Sequence, residues 1–377
     1  MAHYSSLLLL PLCAAALAAQ TPPAKPAPPK PDVLILNDDE RLIGHLLRSN
    51  GSSVVFKSDL LGEVTINWAK IKELHAAGPF VVVGKNVKLG RHPVATNLPH
   101  GSITESNQTI TIEPAPEAPP VSMPVAEAAH IMEEPVFQKS VISGPSLIQA
   151  WNGAITGGFA IVQATQESRA FNGAVHLIRA VPTETWLPPR DRTIIDFSAS
   201  EGSVEEPSTG EIKTQIVHAA IERDEYFSAS RVYFFGQAIF DHNFSQGLDL
   251  QQNYGGGVGW TAIDKAAVTL DVKGTASYIR QQFTNPANDH NLIGSTFAQS
   301  LVRKFPRGMI LLEQVSFTSA WNEPHAWMAT ASTSFTAPVY KRLSFSVAFQ
   351  DNFLNDPPPG FQKNSFQATT GVTYTLH

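Results

Sequence analysis

Apolar and polar positions alternate along most of this chain, and the alternation is clearest near its C-terminus. Phe366, Ala368, Val372, Tyr374 and Leu376 share one parity, with Thr370 as the exception, while Ser365, Gln367, Thr369, Gly371, Thr373 and Thr375 share the other. Side chains of a strand point to opposite faces in turn, so this segment has an apolar face and a hydroxyl-rich face. Val268, Leu270, Val272, Gly274, Ala276 and Tyr278 alternate in the same way with Thr269, Asp271, Lys273, Thr275 and Ser277. So do Leu343, Phe345, Val347 and Phe349 with Ser344, Ser346 and Gln350. Asp271 and Lys273 lie on the polar parity, where a lumen receives them and lipid does not.

From residue 151 onward the strands lengthen to about ten to sixteen residues, as tilted membrane strands require. About twelve are predicted, an even number as barrels of this kind need. They fall at 151–164, 169–181, 193–203, 212–223, 228–241, 248–262, 266–282, 292–303, 309–321, 326–337, 342–353 and 362–376. The connections after strands four, six, eight and ten are tight, and those after seven and eleven are long and polar. That asymmetry is the one outer-membrane barrels show between their periplasmic and extracellular ends. Two connections break it. Residues 182–192 form a long link where a short turn is expected, and the link after the ninth strand is short.

Ahead of the barrel the chain reads in four parts. Residues 1–19 resemble a signal peptide, with Leu7-Leu8-Leu9-Leu10 opening the apolar core and Ala16-Leu17-Ala18 offering a cleavage site. Residues 20–31 are a proline-rich linker. Residues 32–113 are expected to form a small periplasmic β domain, with 41–47 and 53–57 paired across Ser49-Asn50-Gly51 and a second turn at Asn107-Gln108. Residues 114–150 read as a second linker, rich in proline and acidic residues, in which 126–134 reads either as a brief acidic helix or as disordered tether. The proline-rich tethers Thr21–Pro31 and Pro114–Pro124 are expected to be the first sites of protease attack. The fold class expected is therefore all-β: an antiparallel transmembrane β-barrel of about 12 strands over 151–377, preceded by a small Sm/SH3-like β domain.

Composition agrees. Charged residues make up 16% of the 377, against roughly 25% in soluble domains. No mature segment approaches the roughly 18 uninterrupted apolar residues of a spanning helix. The net charge of −6 argues against nucleic acid as a partner. The single cysteine, Cys13, lies in the signal segment, so a processed chain has no disulfide.

Candidate chemistry is sparse. Gly255-Gly256-Gly257-x-Gly259 has strand on both sides, so it reads as room for a bending strand and not as a phosphate loop. The histidines are scattered, with His242, His290 and His325 in predicted loops, and none has metal-ligand spacing. His218 with Ser228 or Ser230 is the nearest approach to a hydrolase pair, and no Gly-x-Ser-x-Gly elbow accompanies it. No catalytic, cofactor-binding or metal residue is expected, and no cofactor. Trp151, Trp186, Trp260, Trp321 and Trp327, with Tyr226, Tyr254 and Tyr340, are expected in an interfacial girdle. Arg231, Asp271, Lys273, Glu313 and Arg342 are expected to point inward and narrow the lumen.

Two stretches, Asn37-Asp38-Asp39-Glu40-Arg41-Leu42-Ile43-Gly44 and Ser58-Asp59-Leu60-Leu61-Gly62-Glu63-Val64-Thr65-Ile66-Asn67-Trp68, resemble the N-terminal module of some salt-induced outer-membrane proteins. Gln246-Gly247-Leu248-Asp249-Leu250-Gln251-Gln252-Asn253-Tyr254-Gly255-Gly256-Gly257-Val258-Gly259 resembles a strand of the same family, a DUF481-like family of unknown function. Asn355-Asp356-Pro357-Pro358-Pro359-Gly360, with Lys363-Asn364, resembles the loop before its last strand. The resemblance covers about 32–76 and 151–377. It implies a location and a fold but no activity, so no catalytic residues carry over.

The function expected is that of a non-catalytic outer-membrane β-barrel, structural or a narrow channel. The alternatives are a secreted β-sandwich that binds glycans and an outer-membrane hydrolase that modifies lipids. Expected partners are outer-membrane lipids and lipopolysaccharide, and the barrel-assembly machinery during biogenesis.

Overall fold

The computed structural model describes residues 31–376 except 88, 90–96, 115–118, 164–166, 185, 207–209 and 228–229. The expected signal peptide, nearly all of the first linker and the tip of the second lie outside the described residues.

The N-terminal sheet has nine strands: β1 (Asp32–Leu36), β2 (Arg41–Asn50), β3 (Ser53–Ser58), β4 (Gly62–Asn67), β5 (Ile71–Gly84), β6 (His100–Ser106), β7 (Thr109–Glu113), β8 (Val121–Pro124) and β9 (Ala128–Glu133). Turn chemistry sets the hairpins. The Asn50 side-chain oxygen accepts the backbone N–H of Ser52 and of Ser53, each at 3.0 Å, which fixes the β2–β3 turn. Asn107 and Gln108 both adopt positive φ, 52° and 58°, the conformation a two-residue hairpin needs. Leu34, Leu46, Phe56, Leu74, Ile103 and Ile131 are fully buried in the core, and the Trp68 indole donates to Ser49 Oγ at 3.0 Å. Strand β9 pairs with both β2 and β5, so β1, β2, β9 and β5 close a small ring.

That ring corrects the reading of 114–150. Residues 121–124 and 128–133 are strands of the sheet, and the expected helix at 126–134 is mostly β9. An alanine- and glutamate-rich segment has helical propensity, but two waiting strand edges outweigh a few tenths of a kcal/mol per residue. A single helical turn, α1 (Glu134–Phe137), follows and runs into a wider turn at Gln138–Ser143.

Glu105 in β6 is fully buried. Its Oε1 accepts the Gln108 N–H at 3.0 Å, while Oε2 has no protein partner. Burial pushes its carboxyl up to about 7, and the nearby Glu73 carboxylate adds to the shift. A folded value above the ordinary 4.5 means that this group favours folding in its protonated form. Its contribution is therefore complete below pH 4.5 and is lost as the pH rises through 7. Glu105→Gln is expected to stabilise the sheet at pH 8 by on the order of 1–2 kcal/mol, discounted for partial hydration, and to flatten the profile between 4.5 and 7. Hydrogen exchange of the 104–106 amides in the full chain checks this, and wild-type and variant profiles that stay parallel would refute it.

The barrel is built of twelve strands, each antiparallel to its neighbours: β10 (Asn152–Gln163), β11 (Glu167–Val181), β12 (Asp191–Glu206), β13 (Gly210–Tyr226), β14 (Val232–Asn243), β15 (Leu248–Lys265), β16 (Val268–Phe283), β17 (His290–Lys304), β18 (Ile310–Ala320), β19 (Trp327–Tyr340), β20 (Leu343–Leu354) and β21 (Asn364–Leu376). It closes where Gly153–Gly157 of β10 pair with 372–376 of β21. The expected faces hold. Asp271, Thr275, Ser277, Ser344, Ser346 and Thr373 are buried towards the lumen, while Tyr278, Leu343, Phe345, Phe349, Val372 and Tyr374 are exposed outside. Phe159, Phe171, Phe234 and Phe297 continue this band, each more than half exposed. An apolar outer surface on a closed sheet with no free edge is the membrane-spanning form of β-structure. Trp260 lies at the end of the barrel where the chain enters and leaves, and Trp327 stacks on Phe353 at the far end with ring centroids 4.8 Å apart. Tyr226 departs from the expected girdle, because its parity turns it inward, where it is buried.

Trp186 also departs from it, and explains the anomalous length of 182–192. The turn between β11 and β12 is the docking platform for the N-terminal sheet. Trp186 and Leu187 pack on Val81, Val83, Leu98, Met132, Phe137 and Val141. The His130 ring stacks on the Trp186 indole at 3.8 Å and 14°, and burial lowers the basicity of that imidazole. Arg190 donates to the Ile142 carbonyl at 3.0 Å and Arg179 to the Pro145 carbonyl at 2.6 Å.

Candidate functional site: the barrel lumen

The inward parity of β11 to β16 places charge on one half of the lumen wall. Arg192 of β12 stands opposite Asp224 of β13 and donates to it through Nε at 2.6 Å. The same guanidinium reaches across to Asp271 of β16 through Nη1 at 3.1 Å, and Thr261 donates to the other Asp271 oxygen at 2.6 Å. Arg192 lies over the rings of Tyr226 and Tyr233, 5.8 and 5.2 Å from their centroids. Tyr233 can lie this close to the wall because residue 259 is glycine: a Cβ there would come within 2.2 Å of the phenol ring. Beside this bridge, Lys273 donates to Glu222.

Farther from the chain ends a ladder of hydrogen bonds runs around the same wall. His176 Nδ1 meets Asp196 across the β11–β12 pair, and His218 Nδ1 meets Asp241 at 2.7 Å across β13–β14. Gln251 donates to the second Asp241 oxygen at 3.0 Å, and Gln281 donates to Gln251 at 2.9 Å. The opposite wall, β17 to β20, presents Thr296, Ser300, Gln314, Thr330, Ser332 and Gln350. At the far end Leu248, Phe283, Leu354 and Met328 form an apolar collar, and Gln246 ties down the loop by donating to the carbonyls of Asn352 (3.0 Å) and Lys363 (2.8 Å).

These walls enclose a cavity of about 730 Å³. It is lined by Asn243, Gln246 and Leu354 at the far end and by Arg192, Thr269 and Lys304 at the near end, so it runs past the Arg192 bridge along the β17–β18 side.

Of the five residues expected in the lumen, Asp271 and Lys273 are there. Arg231 and Arg342 lie exposed in near-end turns. Glu313 faces outward with Val315 and Phe317 and accepts from Gln299 at 3.3 Å. The run Ile310-Leu311-Leu312 fits either face, and the parity of β18 is set later, by Ser316 and Thr318 inside. His218 sits mid-strand with Asp241, while Ser230 is in a turn where it accepts the Val232 N–H; Ser228 lies outside the described residues. Of the histidines expected in loops, His242 lies in the last residues of β14 and His290 opens β17, because both strands run further than their alternation. His290 pairs with Glu323 at 2.8 Å and His242 with the Asp249 carbonyl at 2.7 Å. Among the described residues no three His, Cys, Asp or Glu side chains are grouped to hold a metal.

Residues 155–376 match the family described as a protein of unknown function, DUF481. The chain belongs to this family. The DUF481 match therefore spans nearly the whole barrel, from the first residues of β10 to the last of β21. No curated protein matches the sequence significantly. Solved structures with distant likeness include a NanC porin (TM-score 0.36, 8% identity, 60% of this chain and 100% of that one). Another is the transport unit of the autotransporter AIDA-I from Escherichia coli (TM-score 0.27, 9% identity, 63% and 93%). A third is the beta domain of the Bordetella autotransporter BrkA (TM-score 0.27, 9% identity, 60% and 97%).

Proposed function

We propose that this DUF481 protein is an outer-membrane β-barrel whose lumen is a narrow polar passage, with the N-terminal sheet held on its periplasmic side. The observation that carries the reading is the cavity inside the barrel, whose lining runs from Gln246 and Leu354 at the far end to Arg192 and Lys304 at the near end and includes charged and amide side chains among the apolar ones. A purely structural barrel of this size has no need of buried charge on its inner wall, since desolvating each ionised group is unfavourable unless water or a partner compensates. Twelve strands give a lumen between the filled eight-stranded and the aqueous sixteen-stranded types. The near end is assigned to the periplasm because both ends of the barrel segment lie there together with the two tightest turns, 266–267 and 341–342, whereas the 355–363 loop lies at the far end. Leu147 and Ile148, more than three-quarters exposed immediately before β10, then sit at the level of the periplasmic leaflet.

The test is planar-bilayer conductance of the full chain refolded into lipid. Small, discrete current steps are expected. Their absence in the wild type and also in Arg192→Ala, with heat-modifiable migration showing a folded barrel, would refute a passage.

A further inference from the structure

The charges along the lumen do not balance, and the imbalance has a location. Among the described residues, five carboxylates line or abut the cavity: Asp196, Glu222, Asp224, Asp241 and Asp271. Three cations face them, Arg192, Lys273 and, at the periplasmic mouth, Lys304. Arg192 is shared between Asp224 and Asp271, and Lys273 is taken by Glu222. Asp196 and Asp241 have no cationic side chain of this kind. Each is met by an imidazole, His176 or His218, and Asp241 also by the amide of Gln251. A neutral imidazole orients a carboxylate through its N–H without cancelling the charge. The opposite wall, from β17 to β20, offers hydroxyl and amide groups, which solvate an ion of either sign and neutralise neither aspartate.

We infer that the lumen prefers small cations to anions, and that Asp196 and Asp241, each held by a histidine, set the preference. This rests on the passage reading. Within a low-dielectric wall the field of two uncompensated carboxylates is focused along the lumen, which raises the local concentration of counter-ions and excludes co-ions. The Arg192 bridge leaves a further carboxylate only partly compensated, so the same sign persists beside it.

The experiment measures the reversal potential of the full chain in planar bilayers under a KCl gradient at pH 9.5, about three units above the ordinary histidine value of about 6.5. It is run on the wild type and in the Arg192→Ala background. The wild type is expected to reverse on the potassium side. Asp196→Asn with Asp241→Asn keeps side-chain size and an acceptor oxygen while removing both charges. It is expected to lower the potassium-to-chloride permeability ratio by roughly two- to threefold. Asp38→Asn, on an exposed turn of the N-terminal sheet, is expected to leave the ratio unchanged. Heat-modifiable migration establishes that each variant is folded. Reversal at zero or on the chloride side overturns cation preference. A ratio that survives the double substitution overturns the role of these two aspartates. Silence of the wild type and of Arg192→Ala overturns the passage itself, and this inference falls with it.

Discussion

Arg192→Ala is expected to raise the single-channel conductance severalfold and at the same time to make the barrel easier to unfold. Both effects come from one side chain. The guanidinium bridges the lumen wall over Tyr226 and Tyr233 and reaches across to Asp271, so its removal widens the passage there. It also compensates Asp224, which is fully buried, and Asp271. Removing one partner of a buried charge network typically costs about 3–5 kcal/mol, and a wet lumen places this case at the lower end. The temperature at which the folded band is lost in detergent electrophoresis is the stability readout. Adding Asp224→Asn and Asp271→Asn to Arg192→Ala is expected to recover most of that stability while conductance stays high. If the triple variant is as unstable as the single one, packing over the tyrosines and not charge is what Arg192 provides.

Val347→Lys is expected to block assembly into the membrane, while lysine on the adjacent strand's inner face is accepted. Val347 lies on the outward parity of β20 between Phe345 and Phe349, midway along the strand. Lysine at midplane on a lipid-facing position costs roughly 2–4 kcal/mol. Ser346 has the opposite parity but is nearly buried, and it donates to the Gly371 carbonyl at 3.3 Å, so a long side chain is crowded there. Ser332 of β19 lines the cavity and is the roomier comparison. Heat-modifiable folding into vesicles separates the cases. Equal yields for Val347→Lys and Ser332→Lys would mean that the face assignment is wrong.

Much of the architecture was legible because period-two patterning is a local signal. The twelve barrel strands, the faces of β16, β20 and β21, and the Asn50 and Asn107 turns all follow from neighbouring residues. The failures share a different cause. Strand β9 exists because β2 and β5 leave edges that meet there, which no local window contains. Glu313 was misplaced because an unbroken apolar run carries no parity of its own. In the lumen, parity placed Asp271 and Lys273 correctly, but which inward residues share a level depends on register. Arg192 therefore finds Asp271 four strands away, and His218 finds Asp241 and not a serine. The docking of the N-terminal sheet left one visible trace, the overlong 182–192 connection, whose meaning needed the partner surface.

The closure between β10 and β21 has a consequence for the order of events in assembly. Among the described residues it registers five residue pairs, whereas β12 and β13 register sixteen. Every other barrel pairing joins consecutive strands, and the docking of the first sheet joins segments about forty to a hundred residues apart, from Ser140 and Thr183 to Val81 and Trp186. The closing pair instead brings Gly153 to Leu376. Loop-closure entropy grows with separation, so this contact forms last, after the hairpins and the docked sheet are in place. The nascent barrel is thus an open, curled sheet whose leading edge is already held beside a folded domain. Once shut, the shortest ladder is also the one that parts at the least free energy, and any transient lateral opening towards lipid starts there.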